Sequence, residues 1–451
     1  MSEDERTAGR EYTFNRHGEE YRTRFEEFAA DMQAKCPVAW NAEHGGHWFA
    51  AANKEVFDIA RSADKVSNAR DLDRGLQGIS IPTMRVEGMA CSFLEMDPPD
   101  QRYYRQTLNP YLSPAAVARW KPVAEEITRA SLNEKIATGR IDFVDDLANI
   151  VPAVLTLAMM GLPLKDWPVY CEPAHAGVYT KPDSPDRPRV MAASEEMRRR
   201  LRESLPEVRE NPRPGLVEAL ANCTLNGRTP DDDELSAQLG LIIGGGFDTT
   251  TALTAHALEW LSEHPDQRER LSFERESLLD SATEEFLRFY TPAPGDGRTI
   301  TQDFEIDGVQ LKEGERLWLS WAMANRDPEV FPDPNEILLD RSNNRHASFG
   351  LGIHRCIGSN VARMTFKTMI TAVLDRMPDF VCEPSGAVHY DTVGIINGMK
   401  HLPATFTPGK QLGAGLDETL EALQRVCDEQ QWLAEPVTVR HETAKIGTAT
   451  G

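Results

Sequence analysis

The stretch from Thr229 to His264 leaves the chain little freedom of architecture. Thr229-Pro230 reads as a helix start with Thr as cap, Asp231 to Asp233 suit the positive helix end, and the next stop is Pro265. At about 1.5 Å per residue the helix would extend on the order of 50 Å, the width of a whole domain. It must therefore run through the middle of a large, mostly helical body. Its centre, Leu241-Ile242-Ile243-Gly244-Gly245-Gly246-Phe247-Asp248-Thr249-Thr250, is apolar except for an acid and hydroxyls. Each glycine there costs about 1 kcal/mol relative to alanine. That cost, beside a buried acid and alcohol, predicts that something approaches the backbone at this turn.

The 451 residues are 40% hydrophobic, enough for a sizeable core. With 49 Lys plus Arg against 71 Asp plus Glu, the net charge of -22 argues against nucleic acid or an anionic membrane as partner. Seven cysteines with no C-x-x-C pair suit a reducing compartment. Residues 1–12 lack the apolar run of a signal peptide, and no later stretch is apolar for long enough to span a bilayer. A cytoplasmic protein without a membrane anchor is expected.

Helical signals dominate. Ser113-Pro114 to Gly139 reads as one helix kinked at Pro122, residues 142–160 as a helix apolar on several faces, and the charge runs between Met191 and Arg209 as a solvated helix face. Phe304, Ile306, Val309 and Leu311 alternate around Asp307-Gly308, a hairpin signal that implies a small sheet beside the helices. His44-Gly45-Gly46-His47 reads as a loop. After Pro408 the composition changes; residues 411–451 form a tail whose Leu416, Leu420, Leu423, Val426 and Leu433 mark an amphipathic helix, either docked on the body or part of a linker.

The densest chemical signal is Phe349-Gly350-Leu351-Gly352-Ile353-His354-Arg355-Cys356-Ile357-Gly358. Glycines at 350, 352 and 358 allow positive backbone angles and close approach, so amides can point at the Cys356 sulfur. A helix is expected to follow, adding its positive end. Both effects favour a thiolate, the form a haem iron takes as axial ligand. A lone buried cysteine would be more simply structural; the combination with Phe, spaced glycines and His is what points to a ligand.

This loop resembles the haem-ligand loop of the cytochrome P450 superfamily, and the wider likeness runs from about Trp48 to Pro408. The resemblance implies a mainly α fold with small β-sheets, residues 1–410 forming the domain, and haem b (iron protoporphyrin IX) held between the long central helix and the cysteine loop. Carried over by position, Cys356 is the metal ligand, Phe349 packs by its sulfur, and His354 bonds a haem propionate. Gly245 to Thr250 is similar to the oxygen-binding helix motif, in which Thr249 and Asp248 would manage protons; alone, the motif fits a back-bonded Thr and a surface Asp about as well. Asp97 to Arg105 and Asp296-Gly297-Arg298 resemble the segments of the camphor-hydroxylase type that meet the propionates. They make Arg105, Arg298 and Asp296 candidates, with Gln101 standing where many members have His. Arg102 reads as a surface charge. Glu285 and Arg288, three apart on a helix, resemble the family's ion pair, completed by Arg341. Ile81, Met84, Met89, Phe93, Phe247, Pro294, Gly295, Ile395 and Ile396 occupy stretches that line the substrate cavity in relatives.

The implied activity is insertion of one oxygen atom from O2 into a hydrophobic small molecule, a terpenoid, steroid or similar compound. Electrons would come from an iron-sulfur ferredoxin and its NAD(P)H-dependent reductase, since the chain carries no flavin or nicotinamide fingerprint. Two alternatives stay open here: a peroxide-driven peroxygenase, and a haem protein that binds a ligand without turnover.

Overall fold

The computed structural model describes residues 7–83 and 90–437. Its body is made chiefly of α1 (Asp100–Leu112), α2 (Lys121–Ile136), α3 (Ile150–Met160), α4 (Trp167–Tyr179), α5 (Arg187–Glu210), α6 (Asp232–Glu263), α7 (Arg275–Tyr290), α8 (Ser359–Arg376) and α9 (Leu416–Glu429). The long central helix is α6, surrounded by α3, α4, α5 and α8. It begins later than Thr229. Asp231 is the cap: its carboxylate accepts from Glu234 N (2.8 Å), while the Glu234 carboxylate accepts from Asp231 N (3.0 Å). A carboxylate in a reciprocal box satisfies two free amides and complements the helix dipole, so Asp231 displaces Thr229 from the role. Against α6 lies α3, every residue of which is buried, as its all-round apolar composition requires.

The three central glycines serve two ends. A Cβ at Gly246 would fall 2.7 Å from Thr156 Oγ1 on α3, so the two helices cross too closely there for a side chain. At Gly244 and Gly245 a Cβ would meet nothing within 4 Å, and Gly245 is exposed in the middle of the longest helix. On that side α6 borders open space.

The expected kinked helix over Ser113 to Gly139 is two helices. Ser113 Oγ caps a short one, Pro114–Ala118, by accepting from Ala116 N (3.3 Å); a new helix, α2, then starts with Pro122 in its first turn. Proline lacks the N–H that a continuous helix would need and crowds the preceding turn, so it opens a helix instead of bending one.

The main sheet combines β1 (Val38–Asn41), β2 (His47–Ala50), β3 (Val66–Ser67), β4 (Gly295–Ile300) and, after a hairpin of β5 (Phe304–Ile306) and β6 (Val309–Leu311), β7 (Arg316–Ser320). Strand order is β1-β2-β7-β4-β3, with β2 and β7 parallel and the other neighbours antiparallel. The hairpin pairs Phe304 with Leu311 and Ile306 with Val309. Asp307 and Gly308 both take positive φ (48° and 69°), as a two-residue turn of this hand demands. A further pair, β8 (Val388–His389) and β9 (Met399–His401), lies beside the C-terminal half of α6.

In the tail, α9 packs on α2, burying Leu420 and Leu423, and Arg129 of α2 donates to Ala414 O and Thr419 Oγ1 (both 3.0 Å). Among the described residues no helix is long and apolar enough to cross a membrane.

Candidate active site

The cysteine loop is held from several sides. Gly350 and Gly352 have φ of +64° and +68°, and a Cβ at Gly352 would sit 2.3 Å from the carbonyl oxygen of Ala60. Gly358, by contrast, has an ordinary φ of -86°. Cys356 N donates to Phe349 O (2.7 Å), closing the loop, and α8 starts at Ser359. Upstream, Asn325 accepts from Ala347 N (2.6 Å) and donates to Ser348 Oγ and Thr291 Oγ1 (2.8 Å each). The Arg363 guanidinium from α8 lies 4.4 Å over the Phe349 ring and forks onto Glu284 of α7 with two 2.6 Å bonds, while His346 Nε2 meets the same carboxylate at 3.0 Å. Burial works against the Glu284 charge, but Arg363 and His346 override it and hold the carboxyl at about 2.

Cys356 itself lies deep in the protein, and still its side chain is accessible. Burial pushes the thiol up; the Gly358 amide and the charges of Arg105, Arg355 and Arg363 oppose that push without cancelling it. The loop amide and the nearby arginines thus act in the direction expected of them, and desolvation opposes them.

Arg105, Arg298 and His354 converge. The charges of both arginines act on the His354 ring, and burial together with them lowers its pKa to about 3, leaving it neutral. Arg105 also acts on Cys356 and anchors through Nη2 to Arg355 O (2.7 Å). Arg298, on β4, is only 2% exposed. Its Nη1 donates to Gly297 O (2.8 Å), and among the described residues its guanidinium makes no other hydrogen bond. Asp296, two residues away on the same strand face, accepts from Trp321 Nε1 (3.3 Å); burial raises its pKa, and Arg298 pulls it back. Gln101 is committed elsewhere, donating through Nε2 to Ile353 O (2.7 Å) and so tying α1 to the loop.

The donor set fits haem. A buried guanidinium with unused donors, a second arginine and a neutral imidazole suit two propionates, and the accessible Cys356 sulfur, on which the Arg105 charge acts, is a donor suited to iron.

On α6, the Thr249 hydroxyl donates to Gly245 O (2.9 Å), the back-bond that the sequence allowed. Asp248 is not at a surface turn. It is 1% exposed, its Oδ1 accepts from Tyr390 OH (2.6 Å), and the same oxygen is bonded to His175 Nδ1 of α4. Burial lowers the basicity of His175, but the charge and hydrogen bond of Asp248 override it and hold the imidazole well above its ordinary range. Asp248 Oδ2 and His175 Nε2 are buried without hydrogen-bond partners. Neither His175 nor Tyr390 carried a sequence signal, because each lies far along the chain from Asp248.

Glu285 and Arg288 are fully buried and joined by two 2.8 Å bonds, and Arg341 Nε meets both carboxylate oxygens at 3.0 Å. Asn344 Nδ2 (3.0 Å) and Leu338 N (2.9 Å) complete the carboxylate's shell. Of the residues expected along the cavity, Ile395 and Ile396 gather with Ala252, Tyr390, Ala293, Val178 and Tyr179 against α6. Phe93 and Phe247 sit in the main core, Ile81 in a cluster with Phe14, Phe49 and Trp318. Pro294 is buried, and Gly295 is pressed against Leu319 and Trp318. Met84 and Met89 lie outside the described residues. Arg102 is exposed.

Known proteins share this architecture. The cytochrome P450 family model matches residues 189–384. A steroid C26-monooxygenase of Mycobacterium tuberculosis (strain ATCC 25618 / H37Rv) is 28% identical over 398 residues, covering 84% of this chain and 88% of the relative. Cytochrome P450-terp of a Pseudomonas species is 28% identical over 382 residues, covering 80% and 88%. Among solved structures, CYP109E1 from Bacillus megaterium in complex with testosterone superposes with a TM-score of 0.77 at 26% identity, covering 86% of this chain and 99% of that one. A fold built around one long helix and a cysteine loop, with relatives matched over most of their length, makes this chain a member of the cytochrome P450 superfamily, a haem-dependent monooxygenase.

Proposed function

We propose that this monooxygenase inserts one oxygen atom from O2 into a terpenoid, steroid or similarly apolar small molecule, using electrons from an iron-sulfur ferredoxin and its NAD(P)H-dependent reductase. The observation that carries the reading is the deep but accessible Cys356 sulfur grouped with Arg105, Arg298 and His354. Two relatives named for steroid oxidation and as P450-terp, and a testosterone complex among the similar structures, support the substrate class. So does the apolar cluster of Ile395, Ile396 and Ala293 beside α6.

In this reading Cys356 binds the iron through Sγ, while Arg105, Arg298 and His354 orient the propionates, with Asp296 moderating the Arg298 charge. When bound, haem supplies the electron transfer and oxygen activation that side chains cannot. The chain supplies proton management. Asp248 would take and pass a proton at Oδ2, the oxygen used by neither Tyr390 nor His175. Its Oδ1 stays anchored by Tyr390 and His175. Thr249 keeps its oxygen lone pairs free for water while its proton rests on Gly245 O. Gly244 and Gly245 leave that face of the helix open.

The reduced protein under carbon monoxide should show the thiolate-specific Soret band; a histidine-type band in folded protein would rule out Cys356 ligation. Terpenoids and steroids should then be screened for the low-to-high spin change. Product formation with ferredoxin and reductase supports the donor assignment. Turnover with hydrogen peroxide alone, unaffected by Thr249→Ala, would favour a peroxygenase.

A further inference from the structure

The C-terminal half of α6 carries a second polar cluster that the oxidation chemistry leaves unused. His256 and Glu259 stand three residues apart on one helix face, and His389 of β8 reaches the same carboxylate. His389 Nε2 lies 3.2 Å from Glu259 Oε1, and His256 Nδ1 lies 3.9 Å from Glu259 Oε2. One ligand atom from each of the three falls within 4.8 Å of the other two. The His256 ring is 4% exposed and stacked on Tyr290 at 4.6 Å, which sets its orientation, and its Nε2 makes no hydrogen bond. His389 is partly exposed, giving a route from solvent.

We propose that His256, Glu259 and His389 form a binding site for a divalent first-row cation, best matched by Zn2+, that ties β8 to α6. Two imidazoles and one carboxylate are a donor set suited to zinc, with water in the fourth position. With Zn–N of about 2.0–2.1 Å, a tetrahedral site separates its ligand atoms by roughly 3.3 Å. The His389 to Glu259 distance already meets that value, and the His256 to Glu259 distance exceeds it by an amount that side-chain rotation closes. Without a cation, the same contacts are a carboxylate bridging two imidazoles.

The site has a structural consequence. His389 precedes Tyr390, whose hydroxyl ends on Asp248, and the β8–β9 register is irregular at Val388/His389. A cation on His389 would pin the strand that presents Tyr390.

The test uses the full-length, haem-loaded protein, stripped with a chelator and dialysed against zinc chloride, with zinc and iron counted by elemental mass spectrometry. One zinc per haem is expected, with affinity weakened about tenfold or more in His389→Ala and in the isosteric Glu259→Gln. Haem content and the carbon monoxide spectrum verify that each variant is folded. His401→Ala, which removes a ligand from the exposed Asp142, Asp145 and His401 cluster, should leave zinc binding unchanged. In the wild type, zinc should also shield His389 from diethylpyrocarbonate, read by peptide mass. Failure of the wild type to retain zinc, unchanged affinity in both site variants, loss of binding in His401→Ala instead, or no shielding of His389 would each overturn the proposal.

Discussion

Replacing His175 by Asn keeps a polar side chain of similar reach beside Asp248 but removes the charge. In the wild type the Asp248 carboxylate holds the His175 pKa above its ordinary value, overriding burial. A histidine whose pKa is raised by folding contributes stability that is fully present below its unfolded value of about 6.5 and is lost as pH rises through the folded value. Between those two values the unfolded chain has released the proton and the native state still holds it. The His175 contribution therefore falls by about 1.4 kcal/mol for each pH unit above 6.5. Denaturant titrations of both proteins at pH 6, 7, 8 and 9, followed by far-UV circular dichroism, give the difference between two stability curves. Histidines common to both, such as His17, His47 and His354, whose pKa values burial lowers, cancel in that difference. The wild-type advantage should be largest at pH 6 and shrink steadily towards pH 9. A constant offset, or an advantage that grows with pH, would refute a cationic His175 against Asp248.

Substituting Cys356 by Ser should abolish the thiolate-specific carbon monoxide band in protein that still folds; a persisting band would assign the iron to another sulfur. Glu285→Gln strands Arg288 and Arg341 without their buried counter-ion, a loss of about 3–5 kcal/mol, so haem retention on heating should collapse at a lower temperature than in the wild type. An unchanged transition would show that the network is dispensable. Gly246→Ala places a methyl against both Oγ1 (2.7 Å) and Cγ2 (3.2 Å) of Thr156, so no rotation of that side chain relieves the clash. A net loss of about 1–3 kcal/mol is expected, partly recovered by Thr156→Ala in a double-mutant cycle of thermal stabilities; additive effects would argue against the contact.

Much of the architecture was legible along the chain because it depends on local rules. Pro265 ends the central helix, Asp307-Gly308 turns the hairpin, and the spacing of Leu420 and Leu423 marks the buried face of the tail helix. The Glu285, Arg288 and Arg341 triad was readable only by family likeness, since E-x-x-R is common on any helix surface. What failed were choices between local competitors. Asp231 outranked Thr229 as cap because it pairs reciprocally with Glu234, and Pro122 opened a new helix instead of bending one.

Sequence alone determined the candidate nucleus of the chemistry: one cysteine in a glycine-spaced loop ahead of a helix, and an acid beside an alcohol at a glycine-rich turn. Only the tertiary structure decided the surroundings and partners of those groups. Desolvation depends on everything packed around a side chain, and at Cys356 it pushes the thiol up against the pull of the nearby amide and arginines. Likewise Asp248 finds His175 on α4 and Tyr390 next to β8, separated from it by 73 and 142 positions. No local pattern encodes such meetings, because they arise from the packing of whole helices and not from the spacing of residues along one of them.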